Sequence, residues 1–373
     1  MMGKELGADI KKLGFGLMRL PMNGADIDLE QIKGMVDHFL ANGFTYFDTA
    51  YVYHGGMSEV VAREALVERH PRESFQLATK LPIWQVKEKA DLQKIVDTQL
   101  ERTGAGYFDF YLLHSLDKPR LKVLDEFGAW DFLKGLKDRG IARHIGFSFH
   151  DKAEVLDALL TAHPEAEFVQ LQINYADWDD ASVQSRACYE VARRHGKPVI
   201  IMEPVKGGAL AILHPSVQQV MKDANPNASL ASWAMRYAAS LPGVITVLSG
   251  MSNREQMEDN VATLANFQPM SKEEYAVIDR VNEMLKAIPT VPCTSCRYCV
   301  DGCPQNIQIP NILGNYNDFL LYNNLPGAKR LYGFSTNGRG KASDCIACGA
   351  CEGVCPQHIE IVETLKKAAG LFE

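Results

Sequence analysis

Eight of the nine cysteines fall after residue 290, and only Cys188 precedes them. They form two copies of one pattern, Cys293-x2-Cys296-x2-Cys299-x3-Cys303-Pro304 and Cys345-x2-Cys348-x2-Cys351-x3-Cys355-Pro356. Three thiolates at such short spacings can wrap three irons of a cubane cluster. A pair of zinc ribbons is the alternative, but ribbons usually join one Cys-x2-Cys to a distant second one. Two complete copies of an eight-position pattern seldom arise by accident. A disulfide framework would spread its cysteines through a small secreted domain. Cys188, alone within a helical stretch, reads as an ordinary buried thiol.

A second group consists of Asp48, Tyr53, Lys80 and His114. Asp48 stands in Tyr46-Phe47-Asp48-Thr49-Ala50, Lys80 ends Ala78-Thr79-Lys80, and His114 ends Tyr111-Leu112-Leu113-His114. Together these types can build a proton donor for a carbonyl. Lys80 would depress the Tyr53 phenol pKa, Asp48 would hold Lys80 charged and oriented, and His114 would position the carbonyl. Taken singly, each has a plain structural role: a salt bridge, a loop aromatic, a satisfied core histidine. Their order on consecutive strand ends is what points to a site.

The elements that must position them are legible in the apolar pattern. Eight short runs read as buried strands: Phe15–Leu17, Tyr46–Asp48, Phe75–Lys80, Phe108–His114, His144–Ser148, Val169–Ile173, Val199–Glu203 and Val244–Ser249. Helical stretches lie between them, among them Leu29–Asn42, Ala90–Thr103, Glu126–Arg139, Ala153–Ala162 and Ala181–His195. Asn42-Gly43, Arg139-Gly140 and His195-Gly196 fit helix ends that turn back to strand. Strand–helix alternation of this length implies an α/β fold, a (β/α)8 TIM barrel. An open doubly wound sheet competes, but no G-x-G-x-x-G opens the first unit. A last helix runs from Ser271 to about Ala287, and Ile288-Pro289-Thr290-Val291-Pro292 breaks it. The expected division is therefore a barrel over 1–288 and a cysteine-rich domain over 289–373.

The 373 residues suffice for about two domains and a large core. Hydrophobic residues at 46% and charged residues at 23% exclude disordered, collagen-like and coiled-coil classes. Acidic and basic side chains balance over 289–373, which puts the whole net charge of −7 on the barrel. That charge argues against nucleic acid or an anionic membrane as the main partner. No apolar run reaches the roughly 20 residues of a spanning helix. Met1 to Lys12 lacks the apolar core of a signal peptide, so the cytoplasm is the expected location.

The cysteine region resembles bacterial two-cluster ferredoxin domains. That resemblance implies two [4Fe–4S] clusters, one on Cys293, Cys296, Cys299 and Cys355 and the other on Cys345, Cys348, Cys351 and Cys303. The stretch Pro304 to Asp344 is far longer than a compact ferredoxin's spacer. The rest of the chain resembles the aldo/keto reductase superfamily, in particular bacterial members with a C-terminal ferredoxin-type extension. The shared segments are Leu13-Gly14-Phe15-Gly16, the four residues above, Ile145-Gly146-Phe147-Ser148 and Gln172-x2-Tyr175. Glu203-Pro204-Val205-Lys206-Gly207-Gly208, Ser249-Gly250-Met251-Ser252-Asn253 and Glu258-Asp259-Asn260-Val261 continue it.

The resemblance implies reversible hydride transfer between NAD(P)H and a small carbonyl or alcohol, with Tyr53 as proton donor. Ser148, Gln172, Lys206, Gly207, Gly208, Gly250, Arg254, Asp259 and Asn260 would hold the nucleotide. Gly207-Gly208 and the Gly250–Arg254 turn follow strands seven and eight, where such barrels often cradle phosphate. Three positions depart from the familiar pattern. Ser148-Phe149 replaces Ser-Asn, Met202 replaces a nicotinamide-stacking Tyr, and Gln256 replaces an Arg that grips the 2′-phosphate. NAD and NADP therefore both remain open. Met18, Trp84 and Tyr175 are the expected pocket wall, with a core role equally open for Tyr175. Beside the reductase reading stand two others: clusters that pass single electrons from an external carrier to a flavin or substrate in the barrel, and clusters that are purely structural.

Overall fold

The computed structural model describes residues 6–373, so the first five residues of the segment read for a signal peptide lie outside it. Eight strands appear: β1 Leu13–Gly16, β2 Tyr46–Asp48, β3 Gln76–Leu81, β4 Phe108–Leu116, β5 Ala142–Phe149, β6 Phe168–Gln172, β7 Val199–Met202 and β8 Val244–Ser249. Each pairs in parallel with its neighbours, and β1 pairs with both β2 and β8, which closes the barrel. The (β/α)8 architecture read from the apolar runs is the one observed. In addition, a two-stranded hairpin, Met22–Asn23 with Asp26–Ile27, follows β1.

Local chemistry explains the connections. The helix Leu29–Ala41 starts where the Asp28 carboxylate accepts from the Gln31 N–H at 3.0 Å. Gly43, Gly140 and Gly196, at φ of +72°, +71° and +68°, turn the chain from helix to strand. The helix expected over 126–139 is in fact two, Lys118–Phe127 and Ala129–Asp138. Left-handed Gly128 separates them, and Pro119 sits in the first turn of the earlier one. The helix expected from Ala181 starts only at Ser185. Asp180 Oδ1 accepts from the N–H groups of Ser182 and Val183, a local turn that competes with helix.

The barrel interior is filled by Tyr46, Phe110, Phe168, Ile200 and Ile245, with Leu6 and Ile10 packed against them. Phe110→Ala would cost about 3–5 kcal/mol through the cavity it leaves. Phe15, Phe39 and Phe47 form an aromatic cluster with centroids 5.1–6.0 Å apart. Gly146 of β5 permits close approach to β6: a Cβ there would meet the Phe168 carbonyl oxygen at 2.5 Å.

The chain divides into two compact units, Met1–Pro204 with Ser232–Met270, and Val205–Ala231 with Ser271–Glu373. All eight barrel strands lie in the first. In the second, the helices Ile309–Tyr322, Leu325–Thr336 and Ile361–Phe372 pack around Ile312, Leu313, Tyr332, Leu365 and Phe372. The first two of these helices account for the long stretch between the cysteine motifs. Among the described residues, no helix is long and apolar enough to cross a membrane.

Candidate functional site

At the C-terminal ends of β2, β3 and β4 the four expected residues come together. Asp48 and Lys80 are 3% and 1% exposed. Register sets this up, because Asp48 of β2 pairs with Ala78 of β3, and Lys80 of β3 pairs with Leu112 of β4. Lys80 Nζ donates to Asp48 Oδ1 at 2.5 Å and to the Thr49 carbonyl at 2.8 Å, and lies 3.3 Å from the Tyr53 hydroxyl. The His114 ring is 5.8 Å from the Tyr53 ring and 5.1 Å from that of Trp84, centroid to centroid.

Burial and charge oppose one another here. Burial pushes the Tyr53 phenol above its ordinary 10.0, and although the Lys80 charge pulls it down, Asp48 and Glu203 add to the rise. The expected depression by Lys80 is therefore present but outweighed, and the phenol is raised. The physical reason is desolvation of the phenolate, which a sequence does not reveal. Burial pulls Lys80 down, but Asp48 and Tyr53 reverse this and hold it charged. Asp48 is raised by burial, against the pull of Lys80. His114 is driven well below 6.5, first by burial and then by the charges of Lys80, His150 and Arg120, so its imidazole is neutral. A neutral imidazole beside a protonated phenol can orient a carbonyl oxygen while the phenol delivers a proton.

Residues outside the expected four also shape this end of the barrel. Ser115 has φ +56°, and its strained backbone is clamped on both sides. Its N–H donates to Ser148 Oγ at 2.7 Å, and Arg120 Nη1 donates to its carbonyl at 2.6 Å. Arg120 also lies 5.0 Å over the Trp84 ring. Glu203, at φ +56°, pairs with Arg19 at 3.6 Å. Arg120 and Arg19 were not singled out from the sequence. Glu203 could have been, as the first charged residue after an apolar strand. Tyr175, by contrast, is no pocket wall: it is 1% exposed, with its ring 6.0 Å from that of Tyr237. Met18 and Trp84 are 53% and 42% exposed, open to a ligand. Cys188 is the buried thiol expected, raised to about 11 by burial.

The residues expected to hold a nucleotide are placed unevenly. In the first unit, Asn260 is buried, donates to Ser249 Oγ at 2.9 Å and keeps its Oδ1 without a protein partner. An orphaned buried acceptor beside β8 fits the amino group of a base. Arg254 is different. Its guanidinium is 71% exposed and paired with Glu258 at 2.7 Å. Gln256 accepts from the Ser252 N–H at 2.8 Å, and Gln172 Nε2 lies 3.3 Å from Asp177. In the second unit, Gly207 and Gly208 have φ of +63° and +96°. There the Gly207 carbonyl lies 3.4 Å from Arg330 Nη2, and the Lys206 ammonium lies 5.8 Å over the Tyr322 ring.

The eight clustered cysteines surround two cavities in the second unit. One is lined by Cys293, Cys296, Cys299 and Cys355. The other is lined by Cys303, Cys345, Cys348 and Cys351. In each cavity the fourth cysteine comes from the opposite motif.

The quartet at the strand ends can deliver a proton to a carbonyl, and comparison with known proteins supplies the family. Residues 12–283 match the aldo/keto reductase family, and residues 292–360 match the 4Fe-4S dicluster domain. The chain belongs to the aldo/keto reductase family and carries a C-terminal ferredoxin-type iron–sulfur domain.

The uncharacterized oxidoreductase YqkF of Bacillus subtilis is 23% identical over 310 residues, 74% of this chain and 94% of that protein. L-galactose dehydrogenase of Arabidopsis thaliana is 24% identical over 312 residues, 75% and 93%. Probable aldo-keto reductase 1 of Glycine max is 30% identical over 183 residues, 46% of this chain and half of that protein. Among solved structures, an aldo-keto reductase from Klebsiella pneumoniae in complex with NADPH has a TM-score of 0.58 at 22% identity, over 73% of this chain and 91% of that one.

Proposed function

We propose that the chain reduces an aldehyde or ketone to an alcohol, reversibly, with NADH or NADPH, and holds two [4Fe–4S] clusters. The observation that carries the reductase reading is the Asp48–Lys80–Tyr53 relay with neutral His114 beside it. Bound nicotinamide nucleotide supplies the hydride. Tyr53 donates the proton to the carbonyl oxygen as the alkoxide develops, Lys80 stabilises the phenolate left behind, and Asp48 keeps Lys80 charged. His114 orients the carbonyl oxygen.

Ser148, Gln172, Gly250, Asp259 and Asn260, with Lys206, Gly207 and Gly208, are the proposed nucleotide contacts. Arg254 is the weakest of the set, because Glu258 holds it. The barrel domain is assigned to 1–288 and the cluster domain to 289–373. Cys293, Cys296, Cys299 and Cys355 would hold one cluster, and Cys345, Cys348, Cys351 and Cys303 the other. The cytoplasm is the proposed location. The test is anaerobic reduction of a panel of aldehydes and ketones, with nucleotide oxidation and alcohol product both measured. Nucleotide binding without reduction of any carbonyl would sink this reading.

One observation favours a second reading. Phe149 and Met202 stand where a carboxamide ligand and a stacking tyrosine are usual, and Glu203 follows them with its carboxylate toward Arg19. In that reading an external carrier feeds single electrons through the clusters to a flavin or substrate in the barrel. Bound-cofactor analysis of anaerobically purified protein separates the two, since stoichiometric flavin supports only the second.

A further inference from the structure

The two cysteine motifs repeat a backbone as well as a sequence. Ser295 and Ala347, two residues after the first cysteine of each motif, have φ of +55° and +54°. Arg297 and Gly349, each just after the second cysteine, have φ of +69° and +73°. Asn306 and His358, three residues after the fourth, have φ of +53° and +49°. At the middle pair the left-handed conformation comes freely to Gly349 and strains Arg297. Strain of this kind persists where the surrounding structure over-determines it.

The Arg297 side chain is held in place. Its Nη2 donates to Gln308 Oε1 at 2.6 Å, and Gln308 is 6% exposed with its own Nε2 buried and unpartnered. Arg297 lines the first cysteine cavity, whereas no Lys, Arg, Asp or Glu side chain lines the second. The short helices of the two motifs do not cancel this difference, because each carries one acid, Asp301 in Tyr298–Asp301 and Glu352 in Ala350–Gly353. The two sites thus share a backbone, and Arg297 is a charged residue lining one of them with no counterpart lining the other.

Taking up one electron adds one negative charge to a cluster, and a nearby cation stabilises the reduced form. We propose that Arg297, oriented by Gln308, sets the two clusters at different reduction potentials, the cluster on Cys293, Cys296, Cys299 and Cys355 being the higher. The inference rests on the two-cluster reading above. Arg297 is a tuning residue rather than a ligand. An electron entering either cluster comes to rest on the first-site one.

The test is stepwise dithionite reduction of anaerobic holoprotein followed by electron paramagnetic resonance. The wild type should titrate in two separate one-electron steps. Arg297→Gly, which the backbone accommodates as it does Gly349, should move the higher step downward, leave the lower step in place and keep iron content and Tm. Arg297→Lys should retain most of the separation, and Gln308→Leu should lose part of it. A structural role alone would move neither potential. One unresolved step in the wild type, or unmoved steps in Arg297→Gly, overturns the proposal. Iron content below two clusters in the wild type overturns the two-cluster reading and this proposal together, and is seen before any titration begins.

Discussion

The ammonium of Lys80 lies 3.3 Å from the hydroxyl of Tyr53 and 2.5 Å from the carboxylate of Asp48, with Lys80 and Asp48 buried and Tyr53 half-buried. The phenol is poised rather than ionised. Burial keeps the proton on the phenol, and Lys80 lowers the cost of giving it up when an alkoxide forms on the substrate.

Tyr53→Phe should abolish carbonyl reduction and leave nucleotide affinity nearly unchanged. Removing a positioned general acid typically costs roughly 10²–10⁴-fold. Parallel measurement of turnover and of the nucleotide dissociation constant checks this. Near-wild-type turnover in the variant would show that another group donates the proton.

The pH dependence follows from the directions of the shifts. Tyr53 acts protonated in reduction, and its pKa is raised above 10.0, so kcat/KM for reduction should stay level and fall only as pH climbs past that value. Alcohol oxidation needs the phenolate and should rise with pH toward the same point. His114 is held well below 6.5 and stays neutral, so neither profile should bend near 6.5. Lys80→Met should lower turnover and push the oxidation limb further alkaline. Full pH profiles in both directions test the assignment.

NADH should bind as well as NADPH or better. A bidentate guanidinium is the usual partner of a 2′-phosphate. Gln256 is tied to the Ser252 N–H, and Arg254 is paired with Glu258. Dissociation constants for both nucleotides decide the matter. A hundredfold preference for NADPH, roughly 2.7 kcal/mol, would mean that another cation such as Lys206 does that work.

Anaerobically prepared protein should contain about eight irons and eight labile sulfides per chain, the content of two cubane clusters. Stoichiometric zinc without sulfide would contradict it.

Much of this was legible in the sequence, for identifiable reasons. The eight strands are short runs of Val, Ile, Phe and Tyr, and burial on both faces of a parallel sheet leaves such runs unbroken. The cysteine spacing and the four strand-end residues are local patterns, and the structure brings each set together. The break at Gly128 was hidden because the apolar periodicity continues across it. Tyr175 suits a pocket wall and a core equally by its chemistry, and packing against Tyr237 places it in the core. The rise of the Tyr53 pKa could not be read at all, since it depends on how much water three separate segments exclude. Arg297 escaped notice because its meaning lies in its backbone angle and its comparison with Gly349.

Hydride transfer is the central claim, and a cubane cluster passes one electron at a time, so the two routes leave different traces. The measurement is transfer of deuterium from the nicotinamide C4 of labelled NADH or NADPH to a carbonyl substrate in anaerobic holoprotein, with cluster absorbance followed by stopped flow. One deuterium should appear on the carbinol carbon of the product, at the rate of turnover, with cluster absorbance unchanged and no flavin added. Product free of deuterium, with the clusters bleaching on the timescale of turnover, would contradict it and establish an electron relay instead.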